Sequence, residues 1–357
     1  MSVTTGTVTG TTDINIPNGS LSGNGVLSLG SGTTTISSTN TFGGTLQWTV
    51  NNLIFGNGVS VSTTTMASNA TTSVLGRLTI ANAHNFVLGG AGLDLQGAGT
   101  VLVETGNLVE ATSTIRFSGS GATVIPTTYY NLDINAGVGS PTYTASGAGI
   151  VVTNKLSVGG TATTVFDINT VDPTLTVGGD IEIRANGTLS ASNIATLAVS
   201  GSWLNNGTFT SNAGTVSMLG SGVSTITAGN SSFATLNING SGSFTVNSHA
   251  TTTVALNLIN HSSFTQSSST TMAVGGTFIN TLASTTTTWT GSTLYFYGGG
   301  TKTINSTTTN DIYGTINVAS GTNLKMWNSS ANTYSGAGGI YSQNHSLSHN
   351  PSNLYQK

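Results

Sequence analysis

The chain contains no cysteine. Disulfides, thiol catalysis and cysteine-bearing metal sites are thereby excluded. Charge is almost as scarce: seven Lys and Arg and ten Asp and Glu among 357 residues, 5% charged, with a formal net charge of -3. Typical globular domains are about 25% charged. Such a surface offers no electrostatic footprint for nucleic acid and none for anionic membranes. No run of about 18 apolar residues occurs, so no membrane insertion is expected. Ten acids also leave few carboxylate pairs for glycosidase chemistry. Residues 1–10 lack the basic and apolar regions of a secretory signal, so an exported form would make this chain a mature segment. No helical pattern is visible, and Gly-x-Gly pairs therefore read as corners rather than phosphate loops.

What remains is glycine, 48 residues of it, with Thr, Ser, Asn, Val and Ile. β-Branched residues at this density favour strands over disorder. Between residues 156 and 318 an apolar-x-apolar triplet recurs: Leu156–Val158, Leu175–Val177, Leu197–Val199, Val216–Met218, Leu236–Ile238, Leu256–Leu258, Met272–Val274, Leu294–Phe296 and Ile316–Val318. The steps are 19, 22, 19, 20, 20, 16, 22 and 22 residues. Alternation within each triplet is strand periodicity with one buried face. A strand recurring about every 20 residues marks a solenoid, each coil stacked on the last. The fold expected is all-β, a parallel β-helix with coils of about 20 residues. Roughly fourteen rungs at about 4.8 Å each stack to about 70 Å.

Residues 1–110 continue the ladder less regularly, through Ile14–Ile16, Leu27–Leu29, Leu46–Trp48, Val59–Val61, Leu78–Ile80 and Leu93–Leu95. Residues 111–341 form the regular coils, beginning with Ile115–Phe117 and Leu132–Ile134, and residues 342–357 read as a polar tail or incomplete module. A longer repeat overlies the rungs. Gly30 and Gly32, Gly119 and Gly121, Gly220 and Gly222, and Gly298 and Gly300 each precede an isoleucine (Ile36, Ile125, Ile226, Ile304) by four positions from the second glycine. An aromatic or aliphatic residue follows: Phe42, Tyr130, Phe233 or Ile312. Glycines suit the corners, and the residues after them fill the core.

The stretch from Leu197 through Trp203, Asn205-Asn206-Gly207 and Phe209 to Gly220 and Ile226 resembles the repeats of bacterial surface proteins, adhesin-like and built as parallel β-helices. The resemblance spans about residues 110–320. It implies a right-handed helix, an extracellular or cell-surface location and a repetitive scaffold, and it carries no catalytic residue across.

Few residues offer chemistry. The densest charged run holds Asp167, Asp172, Asp180, Glu182 and Arg184. Hard carboxylate oxygens suit Ca²⁺, which makes Asp167, Asp180 and Glu182 the candidate metal ligands, with no other cofactor expected. Against this, Ile181-Glu182-Ile183-Arg184 alternates, which simply points Glu182 and Arg184 to solvent. His345 and His349 form a His-x-x-x-His pair in the irregular tail. Aromatics gather late in the chain, and Trp289, Tyr295, Tyr297 and Tyr313 are the candidate ligand-binding residues, able to stack on sugar rings or meet another subunit. The same residues serve equally as core and end-cover.

The function expected is that of an extracellular structural or adhesive β-solenoid, a surface-protein or fibre segment that is not an enzyme. Its partners are then its own copies or a cell-surface glycan. The alternatives are a carbohydrate-binding or carbohydrate-cleaving β-helix and an ice-binding solenoid. The last needs Thr-x-Thr at constant register, whereas the middle positions of the triplets are mixed.

Overall fold

In the computed structural model the chain is all-β, its parallel sheets stacked as a β-solenoid of about 14 turns with coils of about 22 residues. The described residues are 1–357 except 5, 68, 248–250, 282–288, 307–312, 327–332, 336–339 and 343–357. Ile312, His345, His349 and the body of the expected tail lie outside them. No described helix is long and apolar enough to cross a membrane. The chain divides into two compact units, one of Met1–Pro173 with Arg184–Leu189, the other of Thr174–Ile183 with the chain from Ser190 on.

In the first unit each early coil contributes one strand to each of three parallel sheets. One sheet stacks Ser2–Val3, Leu21–Gly23, Asn40–Gly44, Ser62–Met66, His84–Val87 and Asn107–Val109. The second stacks Thr7–Gly10, Val26–Leu29, Trp48–Val50, Thr72–Val74, Gly92–Leu95, Thr114–Phe117, Thr128–Ile134 and Gly149–Val158. The third stacks Ile14–Ile16, Thr33–Ile36, Asn52–Phe55, Leu78–Ile80 and Leu102–Glu104. Register puts like on like: Leu93, Ile115, Leu132 and Leu156 form one buried column, and Leu95, Phe117, Ile134 and Val158 the next. Each such side chain, fully removed from water, stabilises by about 1.5–3 kcal/mol.

The second unit is also three-sided. Its faces are Thr174–Val177 through Thr196–Val199, Thr215–Met218, Thr235–Ile238 and Leu258–Asn260 to Phe278–Asn280; Ile181–Ile183 through Trp203–Asn205, Val223–Thr227 and Ser243–Val246 to Ser263–Gln266; and Ser232–Phe233 through Thr251–Val254, Thr271–Val274 and Thr293–Phe296 to Thr315–Val318. Near the C-terminus the parallel order stops. Thr333–Ser335 and Ile340–Ser342 pair antiparallel with Thr322–Met326 and Thr315–Val318, which occupies edges that would otherwise stay open.

The triplet ladder proves to run on more than one sheet. Leu236 sits beside Leu258, whereas Met272, Leu294 and Ile316 belong to a different face. The short step of 16 residues is that change of face, not a short coil. Leu256 is 46% exposed, and the strand starts two residues later with Asn260 as its second inward residue. Asn260 is buried and satisfied: its Nδ2 donates to Asn280 Oδ1 at 2.9 Å, and Asn280 Nδ2 donates to Tyr313 Oη at 3.0 Å. A polar residue in an inward position disguises the triplet.

Val59–Val61 is not a rung either. The carboxamide of Asn57 accepts the Val59 and Ser60 amides at 2.9 and 2.8 Å, which makes a local turn, and Val61 is 84% exposed. At Leu46–Trp48 only Trp48 enters the strand, while Leu46 faces out. In the Gly-to-Ile repeat, Ile36, Ile226 and Ile304 are buried as expected, but Val124 and Tyr129 take the inward places given to Ile125 and Tyr130.

Candidate functional site

The outer columns of the second unit keep register as strictly as the inner ones. Thr251, Thr271, Thr293 and Thr315 lie side by side on one face. The companion column two residues along reads Thr253, Ala273, Tyr295 and Asn317. A two-column hydroxyl array of the kind ice binding requires is therefore not formed on this face.

The face carries an aromatic platform instead. The strand Thr293–Phe296 turns Leu294 and Phe296 inward and Tyr295 outward, and Tyr297 follows on the outer side. The Tyr295 and Tyr297 rings stack with centroids 6.0 Å apart and planes 21° from parallel. Small residues in and just after the neighbouring strand Thr271–Val274 make room: Ala273 lies beside Tyr295, and a Cβ added at Gly275 would stand 3.2 Å from Tyr297 Cζ. Partial burial raises the Tyr297 hydroxyl above its ordinary pKa, so this phenol stays a neutral hydrogen-bonding group at neutral pH. Beside them, Asn317 presents a buried Oδ1 that no described residue satisfies.

The other two aromatic candidates sit elsewhere. Trp289 is fully buried, its Nε1 donating to Phe264 O at 3.0 Å and its ring stacked on Phe278 at 5.6 Å. Tyr313 packs edge-on against both Phe278 and Trp289, at 5.4 and 5.5 Å. Neither ring has a face open to a ligand, and both belong to the core.

The acidic run is dispersed. Asp167 lies in the first unit and Asp180 and Glu182 in the second. Asp167 caps its own turn, accepting from the Asn169 amide at 3.0 Å and from Thr170 Oγ1. Asp180 Oδ1 accepts the Ser202 amide at 2.7 Å. Among the described residues no three of His, Asp and Glu are grouped as a metal ion would require.

Two polar constellations escaped the sequence reading, because only stacking brings their members together. Asp133, on the outer column between Arg116 and Ser157, accepts Arg116 Nε at 2.9 Å and Arg184 Nη1 at 3.0 Å. Its side chain is 8% exposed, and two arginines are what make that burial tolerable. His84 is 1% exposed, with Ser62 Oγ at 2.7 Å from Nδ1 and Thr64 Oγ1 at 3.1 Å from Nε2. The Ser–His contact has the atoms of a nucleophile and base, yet it is sealed. Gly56, at φ 89°, lies so close that a Cβ there would come 2.7 Å from His84 Cβ.

Burial lowers the His84 pKa below its ordinary 6.5. The folded chain therefore holds a neutral imidazole while the unfolded chain takes up a proton below about pH 6.5. Stability from this group is complete above that pH and is lost as pH falls through it, by up to about 1.4 kcal/mol per pH unit. Thermal unfolding between pH 7.5 and 5.5 should show the decline in the wild type, and His84→Gln should flatten it. An equal slope in both would assign it to other groups.

No family model matches the chain, and neither a curated protein nor a solved structure resembles it at a significant level.

Proposed function

We propose that this chain is an extracellular structural and adhesive β-solenoid, a segment of a surface protein or fibre that presents ordered faces and does no chemistry of its own. The observation that carries this reading is where the reactive side chains go. His84 spends both ring nitrogens on Ser62 and Thr64, Asp133 spends both oxygens on Arg116 and Arg184, and Asp180 caps a backbone amide. Uncharged columns such as Thr251, Thr271, Thr293 and Thr315 are left to face the surroundings. The adhesin-like repeat and the cysteine-free, Thr- and Ser-rich composition support the surface location.

The partners proposed are further copies of the chain and cell-surface glycan. Electron microscopy and sedimentation at rising concentration separate them. Filaments with a regular axial repeat make the chain a fibre subunit, and discrete particles make it a segment that works through glycan. A globular, monomeric particle that retains no glycan contradicts both.

A carbohydrate-binding reading has one observation of its own in the Tyr295–Tyr297 platform. Base- or sugar-sized rings stack on such faces for about 1–3 kcal/mol each in comparable settings. On a glycan array, Tyr295→Ala with Tyr297→Ala should abolish whatever retention the wild type shows through this face, with the melting temperature unchanged. Unaltered retention would remove the platform from the account.

A further inference from the structure

The first unit contains an open groove of about 500 Å³ that the surface reading does not use. Its origin lies in the corner between the second and third sheets. That corner is one residue long after Val50, three after Val74 and six after Leu95. The last and longest, residues 96–101, stands as a wall over the face built by the shorter ones. Outward side chains of three successive strands make the floor, with Thr33, Asn52, Ile54 and Thr79 among them. Gly76 and Gly97 let the corners stack closely, since a Cβ at Gly97 would lie 2.2 Å from Gly76 O.

The charge in this groove is of one sign. Among its lining residues Arg77 is the only ionisable side chain. Arg77 Nε donates to Thr100 O at 3.2 Å, which ties the guanidinium to the wall. Of the chain's three arginines, Arg116 and Arg184 share Asp133, whereas Arg77 makes no ion pair among the described residues. Asn52 Oδ1 accepts the Arg77 amide at 3.0 Å, and this fixes the carboxamide with its Nδ2 as a donor that takes no acceptor among the described residues. On the same column Asp13 is turned to the Thr33 amide at 2.7 Å and does not line the groove. The fixed polar groups are therefore donors, the threonines add hydroxyls that can donate or accept, and Ile54 and Leu75 supply an apolar patch.

We propose that this groove binds an oligosaccharide carrying a carboxylate, a uronic-acid-type sugar. Arg77 engages the carboxylate through its two Nη groups, the fork geometry that matches guanidinium to carboxylate. Asn52 and the threonines take ring hydroxyls, and the C–H face of the sugar lies over Ile54. The groove is in the first unit and the tyrosine platform in the second, so either can fail without the other.

The test is calorimetric titration of the whole chain with trigalacturonate, with neutral galactotriose and with sulfated galactotriose as comparators. Trigalacturonate should bind at least tenfold more tightly than either comparator. Arg77→Gln should erase that preference without changing the melting temperature, because the side chain is exposed and bears no core contact. Thr79→Trp should block the groove and abolish binding while leaving the charge in place. Equal affinity for the neutral sugar, equal affinity for the sulfated sugar, no binding, or binding unchanged in Arg77→Gln would each overturn the proposal.

Discussion

Trp203→Ala should cost about 3–5 kcal/mol, the loss typical of a buried large aromatic truncated to a methyl. Trp203 is fully buried on the strand Trp203–Asn205 and holds together three strands of the second unit. Phe209 meets its ring edge-on at 4.7 Å and Phe233 lies at 5.3 Å. In a solenoid such a loss is felt most by the coils that share the contact, since each coil touches only its neighbours. Hydrogen exchange should therefore show lost protection from Ile181–Ile183 through Val223–Thr227 before the rest of the unit opens.

The companion substitution makes the prediction sharper. Trp203 Nε1 is buried without a partner among the described residues. An unmade bond to a buried donor costs about 1–3 kcal/mol. Trp203→Phe removes that donor while keeping most of the ring, so it should fall within about 1 kcal/mol of the wild type. If Trp203→Phe were as damaging as Trp203→Ala, the indole nitrogen would have to be engaged and the packing account of this position would be wrong.

Trp289→Ala should be of similar size, about 3–5 kcal/mol, and it separates core from surface among the late aromatics. Trp289 joins Phe264, Phe278 and Tyr313 in one buried cluster and donates to the Phe264 carbonyl. Tyr295 lies half-buried on the outer column, beside Ala273. Tyr295→Ala should therefore leave the unfolding transition nearly in place while Trp289→Ala lowers it by several degrees. Loss of glycan retention in Trp289→Ala with stability intact would return that residue to the surface.

The fold was legible in the sequence because stacking repeats its demands. Leu197, Val216 and Leu236 fill the same place in successive coils, and identical places select similar residues. What misled was the assumption that one triplet column runs throughout. The described coils have three faces with nearly the same alternation, and nothing in Leu256-Asn257-Leu258 or Met272-Ala273-Val274 states which face each occupies. Inward polar residues such as Asn260 broke the pattern where the structure does not break, and exposed valines such as Val59 mimicked it where a side chain had captured the backbone amides.

The candidate sites were legible only in part. Tyr295 and Tyr297 are near neighbours in sequence, so alternation alone placed Tyr295 outside. Trp289 lies outside any strand, where period carries no information, and its burial depends on Phe264 and Phe278 from other coils. Asp133 and Arg184 are 51 positions apart, and Arg77 gains its wall from a corner whose length matters only against shorter corners in the coils before it. Contacts between coils are set by register, and register is invisible until the number of residues in every corner is known.

The role proposed for the chain is to present surfaces without transforming what they meet. The most direct measurement is a polysaccharide panel, with and without Ca²⁺, read at once for retention and for newly formed reducing or unsaturated ends. Retention of one or more glycans with no product at any time is the result predicted. Product that accumulates with the wild type and disappears in Asp180→Asn or Glu182→Gln would contradict the account and make the chain a carbohydrate-cleaving enzyme.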